Sequence, residues 1–189
     1  DAYALIYRAY YAFIKNPRIN SKGFNTSAIL GFVNTLEEVL KKENPSHIGV
    51  AFDPSGPTFR HEAFEQYKAQ REETPEAIRL SVPIIKDIIH AYRIPILEVA
   101  GYEADDVIGT IGKQCGRASW DCVIVTGDRD SLQLVAEHVS VKLVVSRDGQ
   151  ILGKMGHTER YGENLFKNIA GEKVQDIFTN AVNYFRKTK

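Results

Sequence analysis

Glu103, Asp105 and Asp106 fall within four positions of the stretch GYEADDVIGT, residues 101–110. Ionised carboxylates held this close repel one another, and their pKa values rise. A divalent cation reverses that penalty. Oxygen donors suit Mg²⁺ or Mn²⁺, and no His or Cys cluster in the sequence competes for the role. Further acids occupy comparable places: Asp53 ends HIGVAF, Asp128 and Asp130 follow CVIVT, and Asp1 precedes AYALIYRAYYAF. Two ions about 4 Å apart, held by such a set, can activate water and neutralise the leaving oxygen of a phosphodiester. Each acid taken singly also has a plainer reading. EADD fits a helix cap or a partner of the helix dipole. Asp128 fits a cap on the next helix, and Asp53-Pro54 a turn. Together the strand-end acids point to metal-dependent phosphoryl chemistry, without separating a nuclease from a phosphatase.

Positioning these acids is the work of alternating elements. Ile29, Phe32, Val33, Leu36, Val39 and Leu40 recur at helical spacing and predict a helix over 26–43. HIGVAF (47–52), IPILEV (94–99), CVIVT (122–126) and VKLVV (141–145) predict strands. Thr74-Pro75 resembles a cap followed by a first helical position. Pro83 predicts a restart, so the helix there is placed at 83–92. The EADD helix is placed at about 103–114. Residues 54–73 are polar and predict a long loop or a weakly packed arch. SRDGQ, with Asp148, predicts a turn into a short strand at Ile151 and Leu152, and 161–189 is helical in pattern. Strands separated by helices predict an α/β fold with a three-layer, mostly parallel central sheet flanked by helices. In such sheets ligands gather beyond the carboxyl ends of the strands, where these acids fall. The first residues read as the inside of a domain, so a strand before Asp1 is expected.

Composition narrows the possibilities. The 24 basic and 24 acidic residues of the 189-residue chain balance, so there is no global field to draw in nucleic acid. Cys115 and Cys122 form no metal-type pair and no disulfide framework, which favours a reducing compartment. No apolar run approaches the length of a membrane span. No GxGxxG loop or Ser-His-Asp set supports a dinucleotide site or a nucleophilic triad. Tyr3, Tyr7 and Tyr10 follow helical spacing and read first as packing, as does Trp120. His47 and His138 flank strands and read as boundary residues. Gly127 is expected to permit a tight exit beside Asp128.

Four stretches carry a resemblance to a known family: DAYALIYRAYYAF, AFDPSGPTFRHEAFEQYKAQREETPE, EVAGYEADDVIGT and VTGDRDSLQLV. They resemble the 5′-nuclease domain of bacterial DNA polymerase I, within the flap endonuclease and PIN-like superfamily, over residues 1–162. The resemblance implies a PIN-like fold with an arch-like segment at about 54–82. It implies two Mg²⁺ or Mn²⁺ ions in a complete site and hydrolysis near the 5′ end of branched DNA. Asp1, Asp53, Glu103, Asp105, Asp106, Asp128 and Asp130 would be the metal-associated acids. All of these except Asp1, with Lys68, would be catalytic. Arg8, Arg60, Tyr67, Lys68 and Arg71 would contact DNA, the cations through phosphates and Tyr67 by stacking on an unpaired base. The interleaved Glu62, Glu65, Glu72 and Glu73 leave open a solvated charge run instead.

Two departures accompany the resemblance. Ala2 stands where the family has Gly. No acidic GDxxDN-type motif and no helix–hairpin–helix region follows Gly162, so 163–189 is expected to be a divergent helical tail. The expected partners are DNA with a 5′ flap or free 5′ end and a polymerase domain in the parent protein. The expected state is a monomer in the bacterial cytoplasm, without membrane contact. The competing expectations are a PIN-type ribonuclease and a catalytically weak nucleic-acid-binding fragment.

Overall fold

Asp1 opens the first helix. Its carboxylate accepts the amide of Ala4 at 3.3 Å and caps α1, Ala2–Ala12. A computed structural model describes residues 1–64, 66–68 and 73–144. They belong to the compact unit Asp1–Gly153. The turn expected at Asp148, the strand at Ile151 and Leu152, the helical tail and Arg71 lie outside the described residues.

α1 packs on α2, Ser27–Glu43, through a close crossing at Gly31. A Cβ on Gly31 would stand 2.5 Å from the Cβ of Ala9, so only glycine allows this approach. α2 ends as its sequence suggests. Lys41 and Lys42 lie in the last turn, where cations favour the helix dipole, and Asn44 takes the left-handed cap with φ of 42°. Ile6, Phe32, Leu36, Val50 and Phe52 form a core with Ile78, Ile85 and Ile89 of α4, Glu76–Ala91. Tyr3, Tyr7 and Tyr10 pack against that core as partly buried residues.

Two parallel strand pairs complete the described fold. β1, Val50–Ala51, pairs with β2, Ile96–Leu97. β3, Cys122–Thr126, pairs with β4, Val139–Leu143, from Cys122 opposite Val139 to Thr126 opposite Leu143. Between them run α3, Phe59–Ala63, and α5, Ala104–Arg117. A two-turn 3₁₀ segment, Arg129–Leu134, follows β3. Parallel strands joined through helices make this an α/β fold.

Several boundaries differ from the sequence expectation. β1 and β2 are shorter than HIGVAF and IPILEV. Pro95 accepts from the amide of Val50 at 3.0 Å but has no N–H to give back, so the ladder stops there. α4 does not restart at Pro83 but runs through it. Pro83 is exposed, and burial of Ile78, Ser81, Ile85 and Ile89 on the other face holds the helix across the missing bond. Pro75 itself is the cap of α4, because the Thr74 hydroxyl is bonded to that of Tyr7 at 2.9 Å. Within the segment expected to be a loop or arch, α3 forms one short turn. His61 Nδ1 accepts the Thr58 amide at 3.2 Å and anchors that start. Trp120 does not pack inside. It is exposed, with its ring 5.4 Å from that of His47. No helix among the described residues is long and apolar enough to cross a membrane.

Candidate active site

The N-terminus of α5 is the meeting point. Glu103 is its cap residue, and Asp105 and Asp106 lie in its first turn, where unpaired amides and the helix dipole favour negative charge. Asp53, leaving β1, accepts the Ala104 amide at 2.7 Å. Asp106 reaches back to accept the Glu103 amide at 3.0 Å. The capping reading of EADD is therefore correct as far as it goes, and it accounts for only part of the charge.

From the other strand pair, Thr126 organises the remaining acids. It is fully buried. Its hydroxyl donates to Asp1 Oδ2 at 2.9 Å and accepts from the Asp128 amide at 3.0 Å. Asp128 in turn accepts the Asp130 amide at 2.9 Å, as a cap on the 3₁₀ segment. Gly127 fits here because a Cβ would press to 3.2 Å from the Ala4 carbonyl oxygen of α1. A close approach explains this glycine. Nothing in the strand-and-helix periodicity singles out Thr126; the only sequence signal was its place between CVIV and GDRD.

The acids fall into two electrostatic groups. Asp105 is the unsatisfied one. Desolvation, then the charges of Asp128, Asp53 and Glu103, raise its pKa above the ordinary value, with Lys68 opposing. The residue is exposed, so solvent partly screens the repulsion among these charges. Glu103 and Asp106 are satisfied by the protein itself. Arg60 donates from both terminal nitrogens to Asp106, at 2.6 and 2.8 Å, which lowers the Asp106 pKa and raises that of Arg60. Lys68 donates to Glu103 Oε1 at 2.6 Å and the Tyr67 hydroxyl to Oε2 at 3.2 Å. Burial pushes Glu103 up; Lys68, Tyr67 and Arg60 outweigh it, and the net pKa is lowered.

Asp1, Asp53, Glu103, Asp105, Asp106 and Asp128 are thus drawn to one edge of the strands. Asp130 is exposed beside Asp128. Among the described residues, no three acidic, His or Cys side chains are already placed to enclose an ion. The donor chemistry nevertheless fits a hard divalent cation. The charges of Asp128, Asp53 and Glu103 all bear on Asp105, with Lys68 opposing them, and oxygen donors gathered in this way suit such an ion. Arg60, Tyr67 and Lys68, expected on DNA, contact the acids instead. Arg8 is on α1, half-buried. Phe59 and Tyr102 flank the site as an exposed ring pair 5.6 Å apart, with the Arg60 guanidinium 4.6 Å from the Phe59 centroid. Sequence reasoning passed over that pair.

Residues 1–164 match the family described as 5′-3′ exonuclease, N-terminal resolvase-like domain. The chain belongs to that family. DNA polymerase I of Caldicellulosiruptor bescii is 41% identical over 148 residues, 78% of this chain and 17% of the relative. A 5′-3′ exonuclease of Aquifex aeolicus is 39% identical over 182 residues, 94% of this chain and 62% of the relative. The chain thus spans about a sixth of the polymerase relatives it matches. Among solved structures, a T5 5′-exonuclease with bound zinc aligns at TM-score 0.53 and 23% identity, over 75% of this chain and 52% of that one. A bacteriophage T5 flap endonuclease in a pseudo-enzyme–product complex with DNA and metal ions aligns at TM-score 0.52 and 22% identity. These likenesses show that this 5′-3′ exonuclease family member has a PIN-like α/β fold.

Proposed function

We propose that the chain is the nuclease part of a bacterial 5′-3′ exonuclease, hydrolysing phosphodiester bonds near the 5′ end of branched DNA with Mg²⁺ or Mn²⁺. One observation carries this reading. Asp105 meets the charges of Asp53, which leaves β1, of Asp128, which follows β3, and of Glu103 two positions before it, and with desolvation these raise its pKa against the opposing charge of Lys68. Family membership and the metal-bound T5 relatives support it.

Asp53, Glu103, Asp105 and Asp128 would hold one ion, and Asp1 and Asp130 would extend the set toward a second. When bound, the ions supply a metal-activated water and neutralise charge on the scissile phosphate. The chain's own residues do the rest. Thr126 fixes the Asp1 and Asp128 carboxylates relative to each other. The N-terminus of α5 steadies Asp53 through the Ala104 amide. Arg8, Lys68 and Arg71 neutralise phosphates of the single-stranded 5′ end, and Tyr67 stacks on an unpaired base. The polymerase relatives support a polymerase domain in the parent protein and a bacterial source; that this part acts as a cytoplasmic monomer is part of the proposal.

Calorimetry with Mn²⁺ tests the site. Binding is expected in the native chain and should vanish in folded Asp105→Asn plus Asp128→Asn; unchanged binding there overturns the assignment. Cleavage in Mg²⁺ of a 5′ flap, blunt duplex DNA and structured RNA then identifies the substrate, with the flap expected to be cut fastest. A second reading, ion and DNA binding with little turnover, is favoured by the pairing of Glu103 and Asp106 with protein cations. Flap binding without cleavage in that assay would select it.

A further inference from the structure

Glu103 is buried, and both of its carboxylate oxygens are taken by the segment that follows α3. Lys68 Nζ lies 2.6 Å from Oε1 and the Tyr67 hydroxyl 3.2 Å from Oε2. Lys68 holds this position with a left-handed backbone, φ of 59°, which side-chain-bearing residues disfavour. Its ammonium also lies 5.0 Å from the centroid of the neighbouring Tyr67 ring, but that contact moves with the segment, so the Glu103 pair is what ties this strained residue to α5, and it is poised to leave when that pair is broken. Arg60 differs. Its two hydrogen bonds go to Asp106, which the Glu103 amide also holds, and its approach to Glu103 Oε2 is longer, 3.6 Å, so its main contact anchors the root of the segment to α5.

We infer that Lys68 and Tyr67 form a latch on Glu103 that a divalent cation opens. The ammonium and the ion compete for the same carboxylate. Binding of the ion at Glu103 therefore frees Lys68 and Tyr67 for DNA phosphate and base, while Arg60 stays on Asp106. Competition of this kind is reciprocal: whatever draws Lys68 away tightens the ion by the same factor. Phosphate of a bound 5′ end does so, and metal and DNA then bind cooperatively. This inference rests on the proposed metal reading and adds the order of events at that site.

The test measures lysine acetylation in the native chain. N-hydroxysuccinimidyl acetate is applied at fixed pH with and without Mg²⁺, and modified sites are read by mass spectrometry. Lys68 labelling should rise at least threefold with Mg²⁺, while Lys42, paired with Glu38 on α2, stays constant. Mn²⁺ titration is run in parallel. Lys68→Met should tighten Mn²⁺ at least fivefold, and Tyr67→Phe, which removes no charge, about twofold. Mn²⁺ binding with Lys68 labelling unchanged or lowered overturns the latch and leaves the metal site standing. No Mn²⁺ binding at all overturns both.

Discussion

Arg60 shows what one side chain can conceal. Its surroundings in the sequence, FRHEAF, suggest a phosphate contact, yet it is committed to Asp106 by two bonds. A bidentate, partly buried pair of this kind contributes about 1–3 kcal/mol. Arg60→Met and Asp106→Asn, alone and together, should therefore show a coupling of about 1 kcal/mol or more by urea denaturation in a double-mutant cycle. Additive losses would mean that the pair holds nothing. Thr126 is the opposite case, a residue with no obvious chemistry that the fold makes central. Thr126→Val leaves Asp1 Oδ2 and the Asp128 amide without that partner. The expected loss is about 1–3 kcal/mol, and Thr126→Ser should retain most of the stability in the same measurement. The acids themselves were legible, because carboxylates at strand ends are costly without a purpose. Their partners were not, because a bond such as Lys68 to Glu103 depends on how a polar segment folds back, and no periodicity encodes that.

Elements were legible where one face is apolar and long. α2 was readable almost to its ends from Ile29 to Leu40, since six apolar residues at helical spacing leave little choice. α4 was misjudged at Pro83 because local propensity was weighed without the core that Ile78, Ile85 and Ile89 bury. The helix tolerates that proline at a cost, and Pro83 is exposed, outside the buried face of α4. Pro83→Ala should therefore raise the melting temperature, with a gain of about 1–3 kcal/mol; a fall would show that the ring stabilises the fold. Gly31→Ala runs the other way. Alanine favours helices by about 1 kcal/mol, but its methyl would meet Ala9, and overpacking costs about 1–3 kcal/mol. A net lower melting temperature is expected, and an increase would show that α1 and α2 can separate freely.

At the scale of the molecule, the proposed DNA binding falls to local charge, because the chain has no net charge. Lys68→Ala should then weaken 5′-flap binding and reduce its salt slope by about 1. The effect on blunt duplex should be smaller, and equal losses on both substrates would make Lys68 a general surface charge. The α/β class was legible from the alternation of strands and helices, and the family from four motifs in order. The extent of pairing was not. Whether Pro95 ends a ladder depends on which strand lies beside it, and neighbours in a sheet are chosen by the whole chain.

Arg60 and Asp106 stand 46 positions apart, joined by two bonds. In genetic terms they make one unit of inheritance. A change at either position alters what is selected at the other, while Asp106 keeps a second role through the Glu103 amide. Glu103 is held by Lys68 and, in the proposed reading, is also a metal ligand, so drift at Lys68 alters the background in which every substitution at Glu103 is selected.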